Sequence, residues 1–180
     1  MDLYGNLTEL SEFDGNRQIR LVSYLDPGVA IGVTGQEQVI TICDIANDDV
    51  TRTMWRAQGG GAGFTLESVQ YPGGFLDQNL FVGGNNAPPM ALRYAAYHND
   101  PDQFWAPMLS YSVTFVDSCW FTLSFLVVDD YMAAEAGYVF DCSESDTTEG
   151  NPILLFPPNG GDNQKWRATI IGPGFPDWAP

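Results

Sequence analysis

The sequence predicts an all-β chain with threefold internal repetition around one closed core. Three observations carry that expectation. Short runs rich in Val, Ile, Phe, Tyr and Thr alternate with Gly, Pro, Asn and Asp turns along the whole length. The 19 glycines and 12 prolines supply those turns, while helical patterning is confined to one brief segment. Tryptophans recur at Trp55, Trp105 and Trp166, and each closes a stretch built in the same order.

The strands can be taken in turn. Ile19–Tyr24, Val29–Val33 and Val39–Cys43 come first, then Phe64–Gln70 and Met90–Tyr94. Leu109–Phe115, Phe121–Val128, Tyr138–Phe140, Ile153–Phe156 and Lys165–Ile171 follow. Only "DDYMAAEAG" (Asp129–Gly137) has room for one or two helical turns, and it is short for a stable helix. "QGGGAG" (Gln58–Gly63) lies inside the repeat register, so it reads as a connection between repeats and not as a domain linker.

Each repeat runs apolar strand, Gly or Asn/Asp turn, strand, acidic loop, then x-x-Trp. The division is a lead-in at 1–16 and repeats at 17–57, 62–107 and 110–171. An all-β chain with three repeats and a single core is the pattern of a β-trefoil, whose closure removes exposed sheet edges. Residues 1–180 are expected to form one such domain. A two-sheet sandwich would account for the strands but not for a repeated tryptophan.

Bulk properties narrow the function. With 44% hydrophobic and 13% aromatic residues the chain is composed to fold. No apolar run approaches the ~18 residues of a membrane-spanning helix. Net charge is −16 and Lys165 is the sole lysine, which disfavours nucleic acid and anionic membrane surfaces alike. "MDLYGNLTEL" lacks a basic region followed by an apolar one, so a signal peptide is not expected, and a cytoplasmic or non-classically secreted protein is. Cys43, Cys119 and Cys142 are odd in number without C-x-x-C spacing, so no disulfide is expected. A single histidine, His98, gives little support to a histidine metal site or a catalytic triad. No cofactor is indicated.

The segment "FDCSESDTTEGNPILLFPPNGGDNQKW" (Phe140–Trp166) resembles a subdomain of the ricin-type β-trefoil lectins, which are marked by Gln-x-Trp in each of three repeats. Gln103-Phe104-Trp105 matches that motif in the second repeat, and Thr53-Met54-Trp55 is a blurred version in the first. The resemblance implies that Trp55, Trp105 and Trp166 pack inward as scaffold. It implies a sugar pocket made of an Asp on an early strand, an aromatic after the next strand and the Asn before Gln-x-Trp. Those positions fall on Asp141, Phe156 and Asn163.

In that pocket Asp141, expected to be exposed, would accept from two sugar hydroxyls. Asn163 would donate to one of them, and Phe156 would stack under the pyranose. Gln164 would orient Asp141 and Asn163 from behind. Leu154 stands where a polar residue is common, and Phe replaces the larger Trp; both weaken the case for galactose itself. In the second repeat the corresponding set is Asp77, Tyr94 (or Tyr97), Asp102 and Gln103. Asp102 there would repel Asp77 and offer an acceptor where a donor is wanted, so this site is expected not to work. The first repeat has Gly32 in place of the Asp and is read as structural.

The function expected is thus a non-catalytic lectin for galactose- or GalNAc-type glycans. The alternative is a protein-binding trefoil, such as a protease inhibitor or a subunit of a toxin or larger assembly. No motif places two carboxylates around a cleft as a glycosidase would require. One shallow site per chain makes a homo-oligomer the natural route to useful avidity.

Overall fold

The computed structural model describes residues 6–9, 17–34, 39–46, 49–60, 63–78, 90–94, 110–126 and 138–172, which form strands and short 3₁₀ turns. The first four strands are β1 (Gln18–Ser23), β2 (Val29–Thr34), β3 (Val39–Asp44) and β4 (Trp55–Gly60). The next four are β5 (Gly63–Ser68), β6 (Gly74–Gln78), β7 (Met90–Tyr94) and β8 (Ser110–Asp117). The last are β9 (Trp120–Leu126), β10 (Val139–Cys142), β11 (Ile153–Phe156) and β12 (Trp166–Ile170).

Outer strands of each group close a ring. β1 pairs β4, β4 pairs β5, β5 pairs β8, β8 pairs β9, β9 pairs β12, and β12 returns to β1. All six pairings are antiparallel, and the ring leaves no free edge. The inner strands form the hairpins β2–β3, β6–β7 and β10–β11. Each hangs from the ring by one matching contact: Val22 to Ala30, Glu67 to Phe75, and Ser124 to Val139. The three groups share one pairing register at these contacts, and the fold is a β-trefoil.

Register also corrects two expectations. β8 pairs β5 and β9 as β4 pairs β1 and β5, so it is the last strand of the second group. The seam therefore falls at the Ser118–Cys119 turn, and not before residue 110. β4 itself was hidden by Gly59 and Gly60, which are ladder residues up to the pair Gly60 and Gly63. The second correction concerns tryptophan. Trp55 pairs Ile19, Trp166 pairs Phe121, and the equivalent partner of Phe64 is Tyr111. Tyr111 thus holds the register position of Trp55 and Trp166, six residues after Trp105. Trp105 lies outside the described residues, as does the helical candidate Asp129–Gly137.

Strand alternation sends one face to the core. In β11, Ile153 and Leu155 are buried, Leu154 is half-buried and Phe156 is exposed. Trp55 and Trp166 are fully buried. The Trp55 indole N–H donates to the Ile31 carbonyl at 2.9 Å, and that of Trp166 donates to the Phe140 carbonyl at 3.1 Å. Ile31 and Phe140 are equivalent, each one residue past its hairpin's contact with the ring. Each indole therefore fills the core and fastens a hairpin, as a buried Trp must if its N–H is to be satisfied.

The lead-in takes part in the fold. Leu7 is fully buried in the main core, its N–H donates to the Ala168 carbonyl at 2.9 Å, and Asn6 bridges to Thr169. Cys43, Cys119 and Cys142 are free thiols, and Cys43 and Cys142 are buried.

Trp166→Ala is expected to cost about 3–5 kcal/mol through loss of buried volume, a large part of a domain's ~5–15 kcal/mol. Urea unfolding of the variant beside the wild type measures this; a loss under about 1 kcal/mol would contradict the scaffold role.

Candidate functional site

The candidate pocket lies on the outer face of the third hairpin. Asp141 pairs Leu154 across the hairpin, and Val139 pairs Phe156. Because side chains alternate along a strand, these four share one face, while Phe140, Cys142, Ile153 and Leu155 fill the core on the other. Phe156 is 39% exposed on that face, followed by exposed Pro157, Pro158, Asn159 and Gly160. The ring at the end of "ILLFPP" is thus open to solvent.

The loop then returns through the 3₁₀ turn Asp162–Gln164, which brings Asn163 and Gln164 onto Asp141. Asn163 Nδ2 donates to Asp141 Oδ1 at 2.8 Å, and Gln164 Nε2 donates to Asp141 Oδ2 at 2.8 Å. Three of the four residues expected in the site are thus in one hydrogen-bonded unit, and Phe156 flanks it on the same hairpin face. Gln164 is fully buried and also donates to the Pro157 carbonyl at 3.1 Å, while its Oε1 accepts from the Asn159 N–H at 2.9 Å. Gln164 thus ties Asp141 to the Pro157–Asn159 loop. Asn159 and Gly161 were not expected to matter. A Cβ on Gly161 would come within 2.5 Å of Asn163 Oδ1, so glycine there makes room for the Asn163 amide. The signal for it lay in "NGGDNQ", where the second glycine immediately precedes the turn.

Two details differ from expectation. Asp141 is only 5% exposed, so it is a buried carboxylate and not a surface one. Its burial raises the carboxyl pKa above the ordinary 3.8, and this outweighs the lowering by the Gln164 and Asn163 amides. The second difference is that Asn163 faces inward. Its Nδ2 also reaches the Cys142 carbonyl at 3.3 Å, so both its N–H groups are committed within the protein.

The same register puts different residues at these positions in the first repeat. Gly32 is equivalent to Asp141, Cys43 to Phe156 and Arg52 to Asn163. A Cβ on Gly32 would lie 2.7 Å from Cys43 Sγ and 2.9 Å from the Arg52 carbonyl oxygen, so no larger side chain fits. Arg52 turns away to an ion pair with Glu149 at 2.8 Å.

In the second repeat, Asp77 pairs Ala91 as Asp141 pairs Leu154, so it keeps the Asp141 position. Arg93, and not Tyr94, then takes the register position of Phe156, because Arg93 pairs Phe75. Counting back from Tyr111, the places of Asn163 and Gln164 fall on Met108 and Leu109. Those two residues, with Tyr97, Asp102 and Gln103, lie outside the described residues.

No protein-family model matches the chain, and no curated protein sequence matches it. Solved structures do. A designed threefold-symmetric protein, ThreeFoil, is similar with a TM-score of 0.62 at 18% identity, covering 86% of this chain and 99% of its own. A ricin B-like lectin from Macrolepiota procera, solved in complex with lactose, has a TM-score of 0.62 at 16% identity, covering 88% and 97%. An exo-β-1,3-galactanase from Clostridium thermocellum has a TM-score of 0.63 at 15% identity, covering 87% of this chain but 31% of the enzyme. The fold thus occurs both as a lectin and as one part of a larger enzyme. What this chain shares with all three is the β-trefoil, and its resemblance to the ricin B-like lectins holds at the level of that fold.

Proposed function

We propose that the protein is a non-catalytic lectin that binds a galactose- or GalNAc-type glycan through its third repeat. One observation carries the reading: a carboxylate held from behind by two amides, on the same hairpin face as an exposed phenyl ring. A sugar offers adjacent hydroxyls, which need a fixed acceptor, and an apolar C–H face, which suits an aromatic ring. Asp141 supplies the first and Phe156 the second. Gln164 and Asn163 fix the carboxylate, so little orientation is lost on binding. A carboxylate oxygen has two acceptor positions, and one amide on each leaves one more on each for a ligand.

The first repeat is filled by its own side chains, and the second lacks the aromatic by register, so one site per chain is proposed. A single shallow site binds a monosaccharide at about millimolar strength, worth ~4 kcal/mol. Useful avidity would then come from oligomers or clustered glycans. A protein-binding trefoil would need none of the Asp141 network, and it becomes the better reading if the tests below fail.

Titration calorimetry with lactose is expected to give one site per chain; two or three equivalent sites would return Asp77 to consideration. Asp141→Ala should abolish binding by removing a charge-assisted acceptor worth ~1.5–3 kcal/mol. It should also lower stability by roughly 1–3 kcal/mol, because the Asn163 and Gln164 amides lose a buried partner. Full retention of binding in this variant would remove the pocket from the account.

The pH dependence has two opposite signs. Binding needs the carboxylate, so affinity should fall with decreasing pH at a midpoint above 3.8. Stability behaves the other way. A carboxyl with a raised pKa in the folded state holds its proton more tightly there, so its contribution is full below 3.8 and is lost as pH rises through the folded value. Melting curves of wild type against Asp141→Asn, read over the same pH range as the binding curve, check both directions.

A further inference from the structure

The amide orientations in the pocket are settled by their partners. Gln164 Oε1 faces the Asn159 N–H, which can only donate, and its Nε2 faces the Pro157 carbonyl and the Asp141 carboxylate, which accept. Asn163 Nδ2 faces Asp141 Oδ1 and the Cys142 carbonyl. Turning either amide over would set oxygen against oxygen. All four side-chain N–H groups are therefore directed into the protein.

What the Asp141–Asn163–Gln164 network itself leaves for a ligand is of one kind. Asp141 keeps two acceptor positions, and Asn163 keeps its Oδ1, which is an acceptor. Pro157 and Pro158, next to Phe156, have no backbone N–H at all. Lys165, the cation next to this turn, is turned to Asp162 at 2.6 Å and lies over the Tyr24 ring at 5.0 Å.

From this we infer that the Asp141 network offers a ligand acceptors only, and that its ligand class is a donor-rich sugar, with protonated amino sugars preferred over neutral hexoses and carboxylated sugars disfavoured. The inference rests on the lectin reading of the third repeat. An ammonium on the sugar donates to the buried carboxylate where a hydroxyl would, and adds a full charge to the bond. A uronic acid brings an acceptor and a negative charge against the Asp141 carboxylate, whose two amide partners have no N–H left to receive it.

The test is a calorimetric series on the full chain with galactose, galactosamine and galacturonic acid, run below the pKa of the sugar amine and above that of Asp141. The glucose and mannose counterparts are run in parallel. Galactosamine, or the amine of whichever hexose binds, is expected to bind about tenfold tighter than the neutral sugar, a difference of about 1.4 kcal/mol. The uronic acid should bind at least about tenfold more weakly, by the same conversion. Because the chain carries −16 overall, a cation would be attracted without any pocket, so the series is repeated at ~1 M salt, where the Debye length falls to about 3 Å. Persistence of the amine preference there, and its collapse in Asp141→Asn, support the inference.

Equal binding of neutral and amino sugars, or a preference that vanishes in salt, would overturn the inference while leaving the lectin reading in place. So would uronic acid binding as well as hexose. If none of the sugars binds, both fall together.

Discussion

The hydrogen bond from a buried indole to a hairpin carbonyl governs this molecule. Trp166 donates to Phe140, and Trp55 donates to Ile31. Each bond pins the strand of one hairpin against the strand that opens at the tryptophan. Because alternate residues on a strand face opposite ways, pinning Phe140 inward turns Asp141 outward. The same bond brings the chain just before the tryptophan over the hairpin, and so sets Gln164 and Asn163 on Asp141. The core and the pocket are two sides of one constraint.

The first repeat obeys the same constraint with different side chains. Ile31 is pinned and Gly32 turned outward, but the space beyond is taken by Cys43 and the Arg52 backbone. Scaffold and surface chemistry are thus separable on this fold: the ring and its hairpins tolerate Gly, Cys and Arg at positions where the third repeat has Asp, Phe and Asn. That separation is why fold similarity at this level of identity says nothing about which sugar, if any, a given repeat holds.

How far this was legible in the sequence depends on the kind of signal. The strands of the third repeat and the convergence of Asn163 and Gln164 on Asp141 could be read, because "FDCSESDTTEGNPILLFPPNGGDNQKW" carries turn residues, alternation and motif in one span. Burial of Asp141 could not. It follows from two amides and a folded-over loop, and nothing local distinguishes it from an Asp in an open turn. The second repeat misled for a physical reason. Gln103-Phe104-Trp105 has the motif, but strand pairing is fixed by many contacts at once, and these settle on Tyr111 opposite Phe64. Three residues of motif do not outweigh a ladder. β4 was missed because paired glycines look like a linker until their partners are known.

The short N-terminal strap has a consequence for the order of events in making the protein. Asn6 and Thr169 are 163 positions apart in sequence, and their side chains meet at 2.9 Å. β1, the first strand of the ring, likewise finds its partner in β12, the last. A chain emerging from the ribosome has both early segments exposed long before residues 166–170 exist. Leu7 then waits as an apolar side chain without its core, and the edge of β1 as an unmated ladder. Closure of the ring is therefore a late, long-range event, of the kind that folds slowly and is open to mispairing meanwhile.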